Sequence, residues 1–252
     1  MTAAAWATHH AVSGRARTGT HPAVQEPERS EQPENERVVV TLRPWGSPVA
    51  LGLFGLAAAT FTLAGWQLGW VGAGESRTVG VALVAFAAPA QLLASVLGFA
   101  ARDAVVGTAM GVLSLTWLSA GTVLLLAAPG SRSGALGLLL VSSAVSVGLT
   151  GLTGLLSKLA TAAVLLTASV RIGLTGWFEL SGQEWLRTTA GVLGLLLAVL
   201  ALAVAWGSEL EDAGAPFRVP LGRRGKGAQA VDGSLADQVG TVATEPGVRA
   251  RL

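Results

Sequence analysis

Long apolar runs that are almost free of charge constrain this chain more than any other feature. The first run begins near Pro48 and continues to Val71. A helix of that length exceeds the roughly 30 Å of a bilayer's hydrocarbon core, because each residue adds about 1.5 Å. Six such runs are present, and only 13% of the 252 residues are charged, against about 25% in a typical soluble domain. The sequence therefore predicts an all-α, polytopic membrane protein.

The predicted spans are joined by very short connections. We place the spans at residues 48–71, 79–101, 105–128, 133–156, 159–178 and 188–207. Connections of a few residues make sequential helices antiparallel neighbours, which favours a compact up-and-down bundle. The predicted organisation is a six-transmembrane-helix bundle at residues 47–212, between an N-terminal tail at 1–46 and a C-terminal tail at 213–252.

Both predicted tails are polar, and their charges indicate an orientation. Residues 25–37 mix five glutamates with prolines, so we expect the N-terminal tail to be disordered. With the N-terminus inside, the inner side carries Arg37, Arg43, Arg102, Lys158, Arg218, Arg223, Arg224 and Lys226, and the outer side only Arg77, Arg132 and Arg187. Because inner loops carry the excess of Lys and Arg, we expect a multi-pass protein of the plasma or inner membrane with both termini cytoplasmic. The basic segment that opens the C-terminal tail, at residues 217–226, is also placed to contact anionic membrane lipid.

The entry to the first span has a distinctive pattern of residues. Pro48 is expected in the first helical turn, where its missing N–H has no cost. Ser47 is then the natural N-cap, since its hydroxyl can accept a hydrogen bond from a free backbone N–H. Gly52 and Gly55 leave a thin helix face on which another backbone or a small solute can come close.

Several classes of chemistry lack their residues in this sequence. The chain has no cysteine, and its histidines (His9, His10 and His21) all lie in the N-terminal tail. No Asp or Glu falls within a predicted span. We therefore predict no enzyme activity, no catalytic or metal site and no cofactor, and the net charge of +2 gives no indication of nucleic-acid binding.

Three polar residues inside the predicted spans leave alternatives open. Gln91 must face protein or a wet cavity, because an unpaired amide in hydrocarbon is costly, and either a helix–helix hydrogen bond or a place on a solute path satisfies it. Arg171 is the only formally charged residue well inside a span. It either reaches the outer surface or pairs with a glutamate, or it attracts anions at the outer mouth of a pore. The indole N–H of Trp117 needs a partner, with core packing the favoured interpretation.

Four stretches together resemble one family of transporters. They are SPVALGL (Ser47–Leu53), FAAPAQLLA (Phe86–Ala94), the pair TA and WLS (Thr108–Ala109 and Trp117–Ser119), and ELED with VPLG (Glu209–Asp212 and Val219–Gly222). Their order and spacing resemble those of the acetate uptake transporter family, also called succinate–acetate permeases or YaaH-type proteins. The resemblance covers roughly residues 45–225.

The resemblance implies a narrow pore through six helices, a ring-like homo-oligomer, and uptake of acetate or related small monocarboxylates, often with a proton. The implied substrate pathway includes Ser47, Pro48, Leu51, Gly52, Leu56, Gln91, Leu113 and Arg171. Leu56 and Leu113 stand where the family has a constricting Phe and Tyr. Ser47 and Ala50 replace an Asn and a Pro of its first motif. We expect a wider, drier constriction than the family's.

Three functions are consistent with the sequence. The first is a transporter of acetate-like monocarboxylates. If this transport is coupled to protons, passage of the undissociated acid is the simplest mechanism, since no carboxylate relay is available in the spans. The second is a passive channel for small neutral solutes. The third is a non-transporting membrane scaffold whose tails contact other proteins.

Overall fold

The computed structural model describes residues 47–217, 219–225, 227–228 and 232–234. Within these residues, six helices are long and apolar enough to cross a membrane. They are α1 (Val49–Gln67), α2 (Ala73–Ala100), α3 (Ala104–Leu126), α4 (Gly134–Gly154), α5 (Leu159–Ser181) and α6 (Glu184–Asp212). The predicted all-α, six-helix membrane fold is confirmed. The N-terminal tail at 1–46 and residues 235–252 of the C-terminal tail lie outside the described residues.

The six helices form a closed cycle of neighbours. Each helix packs on the next one along the chain, and α6 returns to pack extensively on α1. The α2–α3 pair is the most extensive contact, followed by the α4–α5 pair. Because the number of helices is even, α1 begins and α6 ends at the same end of the bundle, which we call the terminal end. The connections α1–α2, α3–α4 and α5–α6 lie at the opposite end.

The helices end at local signals that hydropathy does not show. The α1 helix stops at Gln67, four residues before the apolar run does, because Gly69 takes a left-handed conformation (φ 77°). The N–H of Trp70 then donates to the carbonyl of Gly65 at 2.8 Å, closing a Schellman motif. At the start of α3, the side chain of Asp103 accepts from the N–H of Val106 at 3.2 Å and caps the helix.

The start of α1 differs slightly from the sequence prediction. The helix begins at Val49, and Pro48 occupies the N-cap position with helical angles (φ −76°, ψ −5°). The Ser47 hydroxyl lies 3.4 Å from the N–H of Val49, which is long for a capping bond. Proline at the helix entrance is therefore observed, while Ser47 contributes a weak contact rather than a full cap.

The α2 helix changes its winding halfway along. A single 3₁₀ turn (Ala73–Glu75) leads into an α-helical segment, and a π turn (Leu83–Ala87) precedes a second α-helical segment (Ala88–Ala100). Pro89 has no N–H to donate to the carbonyl of Ala85, and the wider turn absorbs that missing bond. The helix therefore accommodates Pro89 with a π turn directly before it.

A return segment follows α6 at the terminal end. Residues 219–225 run beside the start of α5, where the N–H of Leu159 donates to the carbonyl of Gly222 at 3.2 Å and the N–H of Ala160 donates to that of Leu221 at 3.1 Å. Leu221 is buried. Ion pairs join Arg223 to Glu211 and Lys158 to Asp103 nearby. This part of the predicted tail is thus packed on the bundle.

Small residues allow α2 and α3 to approach closely. A Cβ placed on Gly121 would lie 2.8 Å from the carbonyl oxygen of Gly80, and a Cβ on Gly80 would lie 2.8 Å from that of Gly121. Each side chain is therefore limited to a hydrogen by the backbone of the other helix, which cannot move aside as a flexible side chain can.

We expect Gly121→Val to lower the free energy of unfolding by about 1–3 kcal/mol, because the added atoms overpack the helix crossing. Thermal unfolding of the purified protein in detergent measures the change. Gly72→Val is the matched control, since nothing lies within 4 Å of a Cβ at that position. Equal stability of the two variants would contradict the close α2–α3 contact.

Candidate functional site

A polar vestibule opens at the end of the bundle opposite the terminal end. It has a volume of about 170 Å³, and its lining includes Ser76, Ser131, Arg132, Glu179, Glu184 and Arg187. The α3–α4 connection forms one side, and the α5–α6 connection forms the other. Two arginines and two glutamates therefore face this opening, so that its formal charges balance.

A smaller chamber lies deeper in the bundle, directly below the vestibule. It has a volume of about 40 Å³, and its lining includes Leu63, Gln67, Trp117, Leu140, Arg171 and Thr175. Six side chains line both cavities: Trp66, Leu124, Leu136, Phe178, Glu179 and Arg187. These shared walls make the vestibule and the chamber successive parts of one path.

Arg171 is the dominant group of the chamber. Its side chain extends from the middle of α5 and is only 1% exposed. One guanidinium nitrogen, Nη2, donates to Oε1 of Gln67 at 3.3 Å. The guanidinium carbon lies 5.5 Å from the centre of the Trp117 ring, which is a cation–π contact. The charge is therefore held between an amide oxygen and an aromatic ring.

A short hydrogen-bond network fixes the geometry around Arg171. The Nε2 of Gln67 donates to the hydroxyl of Thr175 at 3.3 Å, and that hydroxyl donates to the main-chain carbonyl of Arg171 at 3.1 Å. A Cβ placed on Gly194 would lie 2.9 Å from Nε of Arg171. The missing side chain on α6 therefore provides the space that the guanidinium occupies.

No carboxylate in the described part of the chain lies within ion-pair distance of Arg171. Glu179 is eight residues further along α5, a rise of about 12 Å, and its Oε2 accepts from the N–H of Ser133 at 2.7 Å. Glu184 pairs with Arg187 at 3.6 Å. Arg171 is buried, and both glutamates contact other groups. The charge of Arg171 is therefore stabilised neither by reaching the membrane surface nor by pairing with a glutamate.

Trp117 contributes a second unsatisfied donor to the chamber. The residue is 2% exposed, and neither its indole N–H nor Nε of Arg171 has a hydrogen-bond partner among the residues that the structure describes. Buried polar groups without a partner are rare in folded proteins and ask for an explanation. The chamber thus combines a positive charge with free N–H donors.

Arg187 lies where the vestibule and the chamber adjoin. Its Nη2 donates to the carbonyl of Trp66 at 3.2 Å, and its guanidinium carbon lies 5.0 Å from the centre of the Trp66 ring. The side chain is partly exposed, and it lines both cavities. Arg187 therefore lies between the vestibule and Arg171.

Four of the predicted pathway residues lie below the chamber, in tightly packed surroundings. Leu56, Gln91 and Leu113 are fully buried, and Gly52 is buried beside them. The Nε2 of Gln91 donates to the carbonyl of Gly52 at 3.3 Å, while its Oε1 has no partner. Leu113 lies one helical turn below Trp117, so the open space ends where the predicted constriction begins.

Gly52 is needed for this packing, as its position predicts. A Cβ there would lie 2.6 Å from the sulfur of Met110 and 3.1 Å from the Cβ of Ala94. Met110 itself is fully buried and lies within 3.8 Å of Nε2 of Gln91. A flexible methionine thus fills the space between Gly52 and Gln91.

The remaining predicted residues are placed differently. Ser47 and Pro48 lie at the terminal end, at the entrance of α1. Leu51 is 39% exposed on the outside of the single chain, so the structure does not bring it together with Gly52, Leu56 or Gln91. In a helix, adjacent residues point about 100° apart, so Leu51 and Gly52 face different surroundings.

Sequence reasoning does not identify two residues of the network around Arg171. Gln67 falls inside the longer first span that hydropathy predicts, and its pairing across the bundle with α5 has no sequence signal. Thr175 lies in the fifth predicted span with no feature that distinguishes it. Glu179 lies one residue beyond the predicted fifth span and belongs to α5, which continues to Ser181.

The two buried glutamines provide a matched test of the network. We expect Gln67→Leu to lower the free energy of unfolding by about 1–3 kcal/mol, because it removes the one side-chain acceptor of a buried charge. Gln91→Leu removes an amide whose oxygen is already unsatisfied, so its stability should change little. Thermal unfolding in detergent measures both, and an equal loss would contradict the role given to Gln67.

Comparison with solved structures places this fold beside that of a known membrane protein. One match is a structure described as that of the bacterial acetate channel SatP, with a TM-score of 0.64 and 20% sequence identity. The match covers 71% of this chain and 99% of the channel. No protein-family model and no curated protein matches the chain. The chain shares its fold with SatP.

Proposed function

We propose that this protein is a membrane channel or transporter for acetate or similar small monocarboxylates, and that it is not an enzyme. The observation that carries the proposal is the buried, unpaired Arg171 in a chamber that opens through a polar vestibule. The shared fold with an acetate channel and the four sequence stretches that resemble acetate uptake transporters support the same conclusion.

A monocarboxylate suits the chamber because of its negative charge, its small size and its hydrogen-bond acceptors. Its negative charge complements Arg171, and its oxygens can accept from the guanidinium and from the indole N–H of Trp117. The cavity of about 40 Å³ has room for only a few water-sized groups. Its apolar walls, such as Leu63 and Leu140, suit the short hydrocarbon part of the solute.

The rest of the proposed path runs from the chamber to the terminal end. It passes Leu113 and Leu56, then Gln91 and Gly52, before it reaches the α1 entrance at residues 47–48. Passage requires side chains to move, and Met110 is suited to this because its side chain is unbranched and flexible. The amide of Gln91 offers both a donor and an acceptor to a solute in that segment.

A passive channel for neutral solutes is the second candidate, and one observation argues against it. A neutral pore gains nothing from a buried cation, whose desolvation is expensive. Proton coupling of acetate transport, the first candidate, has one group to act through. Glu179 is the one carboxylate that lines the chamber in the described part of the chain. It stands at the entrance rather than in the packed segment.

The cellular arrangement is also part of the proposal. The Lys and Arg distribution favours both termini in the cytoplasm of a plasma or inner membrane, which directs the vestibule outward. Large apolar side chains, including Phe61, Leu115 and Leu138, are exposed on the outside of the single chain. These surfaces suit membrane lipid and a ring-like homo-oligomer.

Uptake of radiolabelled acetate into proteoliposomes tests the function. We expect Arg171→Gln to raise the half-saturating acetate concentration by about tenfold or more, the loss expected for a hydrogen bond to a charged group. Flux of a neutral solute such as glycerol should not change. Arg171→Lys should keep part of the effect because it keeps the charge.

Arg77→Gln is the matched control, since it removes the same charge from an exposed position. Equal losses for acetate and glycerol in Arg171→Gln would assign Arg171 to holding the bundle together. Unchanged acetate uptake in that variant would contradict the proposed site.

A further inference from the structure

The buried guanidinium of Arg171 needs a counter-ion. A charge that is removed from water without a partner is strongly disfavoured, and Arg171 cannot relieve this by losing its proton at physiological pH. In contact with the guanidinium, the described residues supply an amide oxygen and an aromatic face, but no carboxylate. Something else in the chamber must therefore balance the charge.

The hydrogen-bond inventory of the chamber points in the same direction. A guanidinium carries five N–H donors, and among the described residues only one of them, on Nη2, has a side-chain acceptor. The buried Nε of Arg171 and the indole N–H of Trp117 have no partner among these residues. Two nearby acceptors are already engaged, because the amide oxygen of Gln67 accepts from Arg171 and the hydroxyl of Thr175 accepts from Gln67. The chamber therefore keeps N–H donors free for an anion.

We propose that the chamber binds a small monovalent anion as the counter-ion of Arg171. A halide occupies the site when no carboxylate is present, and a short carboxylate takes its place in the ionised form. The identity of the carboxylate rests on the proposed function, while the anion site itself does not. The small volume and apolar walls exclude large or multiply charged anions, which would lose too much hydration.

The ionised form of the ligand gives the proposal a defined pH dependence. An anion site binds acetate best at neutral pH and more weakly as the pH falls through the ligand's own pKa, while halide binding does not follow that titration. The other charged groups that line the chamber are Glu179 and Arg187. Protonation of Glu179 at low pH would strengthen halide binding. Halide binding measured over the same pH range therefore separates the titration of Glu179 from that of acetate.

Thermal unfolding of the purified full-length protein in detergent tests the site without any transport step. Chloride, bromide, formate or acetate replaces gluconate, an anion too large for the chamber, at constant ionic strength. We expect each small anion to raise the unfolding temperature saturably, whereas neutral acetamide should not. The saturable part should vanish in Arg171→Gln and persist in Arg77→Gln.

Trp117→Phe keeps the aromatic ring and removes the indole N–H. We expect the apparent affinity for each anion to fall about tenfold, as for one hydrogen bond to a charged group. The rise in unfolding temperature that acetate causes should disappear as the pH falls and acetate becomes protonated. A larger rise at low pH would instead show that the undissociated acid binds, and it would overturn the proposal.

The outcomes separate this inference from the proposed function. If small anions leave the unfolding temperature unchanged, or act equally on wild type and Arg171→Gln, the anion site is refuted, even where acetate uptake continues. If halides stabilise the protein through Arg171 but no acetate flux is measured, the site stands and the transport function fails.

Discussion

The single charge of Arg171 is the constraint on which the rest of the site depends. A guanidinium in the middle of a membrane helix is tolerated where protein or a wet cavity surrounds it. Here Gln67, Trp117 and Gly194 come from three other helices to form those surroundings. The closed cycle of helices brings α1, α3, α5 and α6 around one chamber, so the fold and the site have a common physical cause.

Small residues make this arrangement geometrically accessible. Gly194 leaves room for the guanidinium on α6, and Gly52 leaves room for Met110 on α3. In lipid there is little hydrophobic drive between helices, so close backbone packing contributes much of the association. The glycine-rich composition, with 33 glycines in the chain, therefore serves two purposes. It permits tight helix crossings, and it leaves space for large side chains inside the bundle.

The two halves of the path differ in a way that fits entry from one side. The part above Leu113 contains the vestibule and the chamber, and the part below it is tightly packed. At the terminal end, residues 219–225 cover the start of α5, and Leu221 is buried against α6 near Gly207. The structure is thus open to the vestibule and closed toward the terminal end.

Much of the fold followed from hydropathy, because the cost of burying charge in lipid leaves a clear pattern in the sequence. Helix ends were harder to predict from the sequence. The α6 helix extends from Glu184 to Asp212, because charged residues mark the edge of the membrane rather than the end of a helix. The site was predicted in part. Arg171 stood out by its charge, whereas its partner Gln67 depends on a contact between residues 104 positions apart.

The most direct test of the central claim is anomalous diffraction from crystals of the protein grown in bromide. Bromide replaces the proposed halide and reports its own position, independently of any functional assay. The account predicts an anomalous peak in the chamber, in contact with the Arg171 guanidinium and the Trp117 indole N–H, that is absent from Arg171→Gln crystals. A chamber that holds only water in the wild-type protein would contradict it.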